Sequence, residues 1–217
     1  MSYLLELWQL VDVSAVSELL LRLAAVFLCL TVHETCHGLA AYALGDPTAK
    51  RQHRLSFNPL HHIDWMGLAC MIFVGFGWAK PVPVDPRYFK KPKQGMALTA
   101  LAGPVSNLLL AILLLLGGKV IYLYAPYTAF TDGLFQFLLS AAMLSVGLGL
   151  FNLIPIPPLD GSKLLAALLP DKQYLLLMRY ERVGMLLLLA LVWLGVGDNL
   201  LSRGISAVFS ALVTLIF

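Results

Sequence analysis

The chain has 217 residues, of which 59% are hydrophobic and only 12% carry a charge. Soluble proteins carry charge on about 25% of their residues, so this composition indicates a membrane protein and excludes a separate soluble domain. The net charge of +3 is too small to favour nucleic acid as a partner. The basic residues stand beside apolar stretches, where lipid headgroups account for them.

Five apolar stretches are long enough to cross a bilayer core, which takes roughly twenty residues. Residues 1–18 precede them and are interpreted as an interfacial or helical lead-in, because they lack the basic flank and cleavage site of a secretory signal. The sequence therefore predicts an α-helical polytopic membrane protein with about five to six transmembrane helices. The predicted spans are residues 19–44, 96–124, 133–153, 174–196 and 200–217.

Residues 50–93, between the first two spans, are basic and contain several prolines. The apolar patch inside this region, GLACMIFVGFG at 67–77, is too short to span and has basic residues on both sides. Its β-branched and aromatic residues favour extended chain. We therefore expect a re-entrant or interfacial β-hairpin here, with an edge strand over residues 74–84.

The distribution of basic residues predicts the orientation of the spans. Lys and Arg are concentrated at 50–93 and 163–182, whereas the loop at 119–132 and the acidic N-terminus hold few. Because cytoplasmic loops carry the excess of basic residues, we expect the two basic segments on the cytoplasmic side. The first and third spans then both run toward the cytoplasm.

The first span contains HETCH, in which His33 and His37 are separated by one helical turn and share a face. This spacing allows both imidazoles to bind one zinc ion. Zinc lowers the pKa of a water molecule to about 7, and Glu34, beside the first histidine, could then accept its proton. Ionisable residues inside a span cost about 2.5–3.5 kcal/mol each on insertion scales, which favours a functional reason for them.

A catalytic zinc site needs a third protein ligand, and the first span offers none. Asp160 is the best candidate, because it follows three prolines in NLIPIPPLDG that force the chain out of a helix. Non-helical chain at this depth is tolerated only where it is buried in protein or lines water. Asp160 follows the third span on the side of the membrane that His33 and His37 approach, so the three side chains can meet.

Together, HETCHG and NLIPIPPLDG resemble the site-2 protease family of intramembrane zinc metalloproteases. FNPLHHID, GWAKPVPV and AGPVSN extend the resemblance. It implies that His33, His37 and Asp160 bind one zinc ion, that Glu34 is the general base, and that Asn152 helps to hold the oxyanion or the substrate backbone. It also implies the short form without a PDZ domain, as a single membrane-embedded protease domain over 1–217 with a catalytic core at 19–172 and C-terminal helices at 174–217.

The resemblance implies a transmembrane protein or peptide as the substrate, and we expect the chain in the plasma membrane of a prokaryote with its active site toward the cytoplasm. A helical substrate must be unwound before attack, and its freed backbone groups need new partners. The edge strand could supply them by strand addition. The expected substrate-binding residues are Val74, Gly75, Phe76, Gly77 and Trp78.

Other interpretations are open for the whole chain and for single residues. The chain could be a catalytically silent relative that binds membrane peptides, or a metal transporter. Cys36 is expected to be a packed thiol rather than a fourth ligand. Ser106 and Asn107 in AGPVSN suit close helix packing. His53, His61 and His62 are expected to be interfacial or structural.

Overall fold

A computed structural model describes residues 13–74 and 77–217, and this part of the chain is nearly all helical. Short 3₁₀ turns at Pro59–His61 and Pro86–Tyr88 interrupt the loop between the first two long helices. The α-helices are α1 (Val13–Ala43), α2 (Thr48–Arg51), α3 (Trp65–Val74), α4 (Pro92–Tyr124), α5 (Ala129–Asn152), α6 (Asp160–Leu168), α7 (Asp171–Arg179), α8 (Glu181–Trp193) and α9 (Asp198–Ile216).

Within the described residues, four helices are long and apolar enough to cross a membrane, which makes the chain an integral membrane protein. They are α1 from Ser17 onward, α4, α5 and α9, so four of the predicted spans are confirmed. The span predicted at 174–196 is wrong, because the helix breaks at Tyr180 and leaves α8 with 13 residues. Three charged residues, Arg179, Glu181 and Arg182, lie at this break. Charges are costly inside a continuous apolar helix.

Helix α4 lies at the centre of the bundle and contacts α1, α5, α6 and α9. Small residues along α4, including Gly95, Ala100 and Ala111, are buried and allow the neighbouring backbones to approach closely. An apolar cluster of Ala111, Leu115, Ala142, Val146 and Ile216 joins α4 to α5 and α9. The opposite side of α4 exposes Leu109, Leu113, Leu116 and Val120. This spacing places an apolar stripe where lipid would lie.

The predicted β-hairpin is not observed in the part of the chain that the structure describes. Its first arm belongs to the helix α3, and the second arm, residues 77–85, is irregular chain with a single antiparallel bridge between Ile63 and Ala79. The Asp64 carboxylate accepts hydrogen bonds from the first amides of α3 and so caps that helix. In an apolar setting a helix satisfies its own backbone, which outweighs the β propensity of the side chains.

Candidate metal centre

Three potential metal ligands meet in the interior of the helix bundle. Asp160 Oδ2 lies 3.1 Å from His33 Nε2 and 3.0 Å from His37 Nε2, and the two Nε2 atoms are 3.0 Å apart. All three residues are buried, with exposed fractions of 3% for His33, 8% for His37 and 5% for Asp160. One donor atom from each lies within 4.8 Å of the others, so this group could hold a metal ion. Two imidazoles and a carboxylate are a donor set that suits catalytic zinc and leaves a position open.

Helix geometry and hydrogen bonds aim the two imidazoles at the same point. The residues are one turn apart on α1, and their rings are perpendicular with centroids 4.5 Å apart. His37 Nδ1 donates to the Thr99 carbonyl at 2.7 Å, and His33 Nδ1 lies 3.1 Å from the Asn107 amide. With both Nδ1 atoms engaged by α4, both Nε2 atoms face Asp160. Such contacts behind a ligand fix its ring orientation.

Gly103, between Thr99 and Asn107 on α4, lies directly beneath the two imidazoles. A Cβ atom at this position would collide with the His37 ring and lie 2.6 Å from His33 Cε1. Any side chain here would therefore displace the histidines. The need for close approach, rather than backbone flexibility, explains a glycine at this position.

Asp160 is the first residue of α6, after the turns that follow α5. Gly161 packs against the backbone of Leu153 and Ile154, and a Cβ there would lie 2.6 Å from the Ile154 carbonyl oxygen. Burial opposes ionisation of Asp160, but the hydrogen bonds from His33 and His37 outweigh it and hold the pKa of this carboxyl below its usual range. The carboxylate is the form of aspartate that binds metals.

The three ligand candidates line a cavity of about 500 Å³, and Glu34 and Asn152 line the same cavity. The Glu34 Oε2 atom accepts a hydrogen bond from the Val82 amide at 2.9 Å. Asn152 Nδ2 donates to the Leu148 carbonyl of its own helix at 3.0 Å. The cavity is of the size that binding sites for small molecules and peptide side chains have, roughly 300–1,000 Å³.

Residues 77–85 form one wall of this cavity and are held in place by the loop between α1 and α3. Arg54, which is buried, donates from Nη2 to the carbonyls of Lys80 (2.7 Å) and Pro81 (3.3 Å). The Lys80 amide donates to the His62 carbonyl, and the Asp85 amide donates to the fully buried Asp46 carboxylate. Charged side chains therefore fix the backbone of this segment.

The structure places only part of the predicted substrate strand at the cavity. Gly77 and Trp78 line it. Val74 is the last residue of α3, so its predicted place in a strand is wrong, because the helix extends that far. Gly75 and Phe76 lie outside the described residues.

Several contacts of the site were missed by sequence reasoning. The sequence predicts helix packing for Asn107, yet its side chain faces His33. Ser106 donates to the Gly103 carbonyl of its own helix, as a packing residue does. A buried amide in an otherwise apolar helix was the available signal. Cys36 is not in the group of potential ligands. His62 is buried and hydrogen-bonds to the Ser56 carbonyl, which is a structural role.

Comparison with known proteins gives consistent matches. The sequence model of the protein family described as "Peptidase family M50" matches residues 116–195. "Putative zinc metalloprotease YwhC" of Bacillus subtilis (strain 168) is 40% identical over 176 residues, which are 79% of this chain and 79% of that protein. "Putative zinc metalloprotease Rip2" of Mycolicibacterium smegmatis is 32% identical over 154 residues, 68% of this chain and 57% of that protein. A "Putative zinc metalloprotease" of Streptococcus pyogenes serotype M3 is 52% identical over 50 residues, 23% of this chain and 12% of that protein. No solved structure matches.

Proposed function

Because the chain belongs to peptidase family M50, the site-2 protease family of zinc metalloproteases, we propose that it hydrolyses a peptide bond in or near a transmembrane segment of a membrane protein. The convergence of His33, His37 and Asp160 inside a bundle of apolar helices supports this most directly. The cavity beside them gives a peptide room to enter. Residues 1–217 would act as one protease domain with its catalytic core at 19–172, and no PDZ domain lies among the described residues.

In this proposal His33 and His37, through Nε2, and Asp160, through its carboxylate, hold one zinc ion. When bound, zinc acts as a Lewis acid that polarises the substrate carbonyl and makes water a stronger nucleophile near neutral pH. The protein would contribute two imidazoles held from behind by α4 and one carboxylate. The side chains that would hold the metal are therefore already gathered at one point.

Glu34 would be the general base. Its Oε2 atom is held by the Val82 amide, so Oε1 is the oxygen that takes the proton from the attacking water. The water oxygen then bonds to the carbonyl carbon, the C–N bond breaks, and Glu34 returns the proton to the leaving amine. General acid–base catalysis of this kind contributes about 10²–10⁴-fold.

Asn152 would stabilise the negative charge that develops on the carbonyl oxygen. An amide NH₂ has two hydrogens, and one of them is used in the bond to Leu148. The second hydrogen is available to the oxyanion or to the substrate backbone. Loss of one such donor typically costs about 10²–10³-fold in rate.

Residues 77–84 would bind the unwound substrate through those backbone amides that are not already engaged. Pro81 and Pro83 have no amide hydrogen, and the amides of Lys80 and Val82 are engaged by His62 and Glu34. Among the contacts of the described residues, the amides of residues 77–79 and 84 have no partner and remain as donors for a substrate strand. Pairing would therefore occur mainly at the Gly77 end, where Gly77 and Trp78 line the cavity.

The site would face the cytoplasm from the plasma membrane of a prokaryote. Lys93 at the start of α4 pairs with Asp171 and donates to the Leu169 carbonyl, so the two basic segments meet at one end of the bundle. Basic segments favour the cytoplasmic side. The same end holds the turns that present Asp160.

The proposal is tested by cleavage of a model transmembrane substrate by the purified protein in liposomes. We expect Glu34→Gln to lower the cleavage rate by about 10²–10⁴-fold, because its amide cannot accept the proton. Zinc content should be unchanged, because Glu34 is not a ligand. Glu18→Gln is the matched control, since Glu18 is an exposed carboxylate on the same helix.

Each alternative predicts a different result of the same experiment. Equal cleavage by Glu34→Gln and the unchanged protein would disprove the role of Glu34. Stable binding of the peptide with no cleavage, even with zinc supplied, would favour a silent relative. Zinc flux into the liposomes without cleavage would favour a transporter.

A further inference from the structure

Asn107 has a fully buried side-chain amide, and its nitrogen and oxygen differ in their hydrogen-bond partners. Its exposed fraction is 0%, and Nδ2 lies 3.1 Å from His33 Nδ1. Its Oδ1 atom is buried and has no hydrogen-bond partner in the described part of the chain. An unsatisfied buried acceptor costs about 1–3 kcal/mol. A packing role alone gives no reason to keep this group.

The chemistry of His33 explains why an amide is useful here. With Nδ2 facing Nδ1, the imidazole must carry its proton on Nε2. A metal ion bound at Nε2 requires the opposite tautomer, with the proton on Nδ1, and that proton needs an acceptor. Rotation of the Asn107 amide by 180° exchanges its nitrogen and oxygen at nearly the same positions. Asn107 Oδ1 then faces His33 Nδ1 and accepts a hydrogen bond from its N–H group.

Two other residues of α4, Thr99 and Gly103, also support the imidazoles from behind. Thr99, Gly103 and Asn107 are four residues apart, so they form one stripe that faces α1. The Thr99 carbonyl accepts from His37 Nδ1 at 2.7 Å, and Gly103 leaves room for both rings. His37 thus already has an acceptor behind it. Asn107 is the group placed to do the same for His33.

We propose that Asn107 is a positioning residue of the metal centre. Its amide oxygen accepts a hydrogen bond from His33 Nδ1, which holds the ring and its tautomer so that Nε2 binds zinc. The inference rests on the proposed role of His33, His37 and Asp160 as ligands. Partners behind a ligand typically change metal affinity by about 10–100-fold when removed.

Zinc affinity of the purified protein, measured by competition with a chromophoric chelator, tests this role without any substrate. We expect Asn107→Leu, which keeps a similar volume but has no acceptor, to bind zinc about 10–100-fold more weakly. Asn107→Asp keeps an acceptor and should remain within a few-fold of the unchanged protein. Ser106→Ala is the matched control, because Ser106 is a neighbouring buried residue whose hydroxyl donates to the Gly103 carbonyl of its own helix.

A packing role predicts a different order of affinities. Equal zinc affinities for Asn107→Leu and the unchanged protein, or equally weak binding by the Leu and Asp variants, would overturn the inference. A measurement on the unchanged protein needs no variant: ¹⁵N spectra of labelled histidine with zinc bound should show His33 protonated at Nδ1. Protonation of His33 at Nε2 would also overturn it.

The control for the underlying ligand assignment is separate. His33→Ala should abolish stoichiometric zinc binding. If the unchanged protein and His33→Ala bind zinc equally, the ligand assignment fails. If His33→Ala loses zinc and Asn107→Leu does not, only the role of Asn107 fails.

Discussion

The two halves of α4 are buried for different reasons. In the first half, Thr99, Gly103 and Asn107 face the candidate metal centre, and two of them contact the imidazoles with polar atoms. In the second half, Ala111 and Leu115 pack in an apolar cluster with α5 and α9. Glycines occur in both halves, but among them only Gly103 lies against the imidazole rings of His33 and His37 in the described part of the chain.

This difference shows what a membrane bundle uses its interior for. Lipid is as apolar as a leucine side chain, so helices in a bilayer associate through close packing and through interhelical hydrogen bonds. The second half of α4 relies on packing. The first half adds hydrogen bonds to His33 and His37, and these place ligand atoms as well as joining helices. Changes in the first half should therefore alter metal binding, whereas changes in the second should alter stability alone.

The largest contrast is expected between two glycine substitutions on α4. Gly103→Ala places a methyl group against both imidazoles, so we expect zinc affinity to fall by roughly 100-fold or more, beyond the usual effect of an outer residue. Gly117→Ala places its methyl group 3.6 Å from Leu138, which is ordinary contact. Alanine favours helix by about 1 kcal/mol over glycine, so the Gly117→Ala helix should be at least as stable. Because the added methyl group contacts Leu138 and not the imidazoles, that variant should bind zinc normally.

Zinc titration and thermal unfolding in detergent separate these outcomes. If Gly103→Ala and Gly117→Ala both bind zinc as tightly as the unchanged protein, Gly103 is not part of the site. If both lose zinc together with stability, the two halves of α4 do not differ as we describe.

A smaller effect is expected from Arg54, which acts at a distance from the metal. Arg54→Met removes the donor to the carbonyls of Lys80 and Pro81, next to the Val82 amide that holds Glu34. Small misplacements of a reacting group can cost about 10²-fold, so we expect cleavage to slow by about 10–100-fold. Zinc affinity should stay the same, because the hydrogen bonds described for His33, His37 and Asp160 do not involve residues 77–85. Cleavage kinetics and zinc titration together test the prediction.

Controls distinguish positioning from loss of folding. Arg54→Lys keeps a cationic donor and should recover part of the lost rate. Arg51→Met should have little effect, since Arg51 is an exposed residue whose bond is to the Tyr88 hydroxyl. Loss of zinc binding in Arg54→Met would contradict the assigned role and indicate general disruption.

The smallest functional effect is expected in the apolar half of α4. Leu115 is fully buried, and Leu115→Ala leaves a cavity among α4, α5 and α9. The loss of packing contacts should lower the free energy of unfolding by about 1–3 kcal/mol, less than the 2–5 kcal/mol seen in soluble cores, because lipid reduces the transfer term. The folded protein should keep its zinc affinity. Unfolding in mixed micelles measures the stability, and a Leu115→Ala protein that folds normally yet loses zinc would contradict the comparison.

Sequence reasoning predicted that His33, His37 and Asp160 can meet, and the structure brings them together, because their placement depends on local geometry. Two histidines four apart on a helix share a face wherever that helix lies, and the prolines before Asp160 end α5 by steric exclusion. The contacts of Asn107 and Arg54 could not be predicted in this way, since each depends on which helix or loop lies opposite. The β-hairpin failed for a similar reason. Its side chains suited a strand, but the Asp64 cap and an apolar setting favour helix over the first arm.

The sequence by itself determined that this chain lies in a membrane, that His33 and His37 share one face of a long helix, and that the chain leaves the helix before Asp160. Periodicity, apolar length and proline sterics act locally, so their effects can be predicted from the amino-acid sequence. Only the tertiary structure decided that α4 supports the candidate metal centre, with Gly103 beneath the rings and Thr99 and Asn107 behind them. That arrangement depends on close packing of helices distant in sequence, which no local pattern encodes.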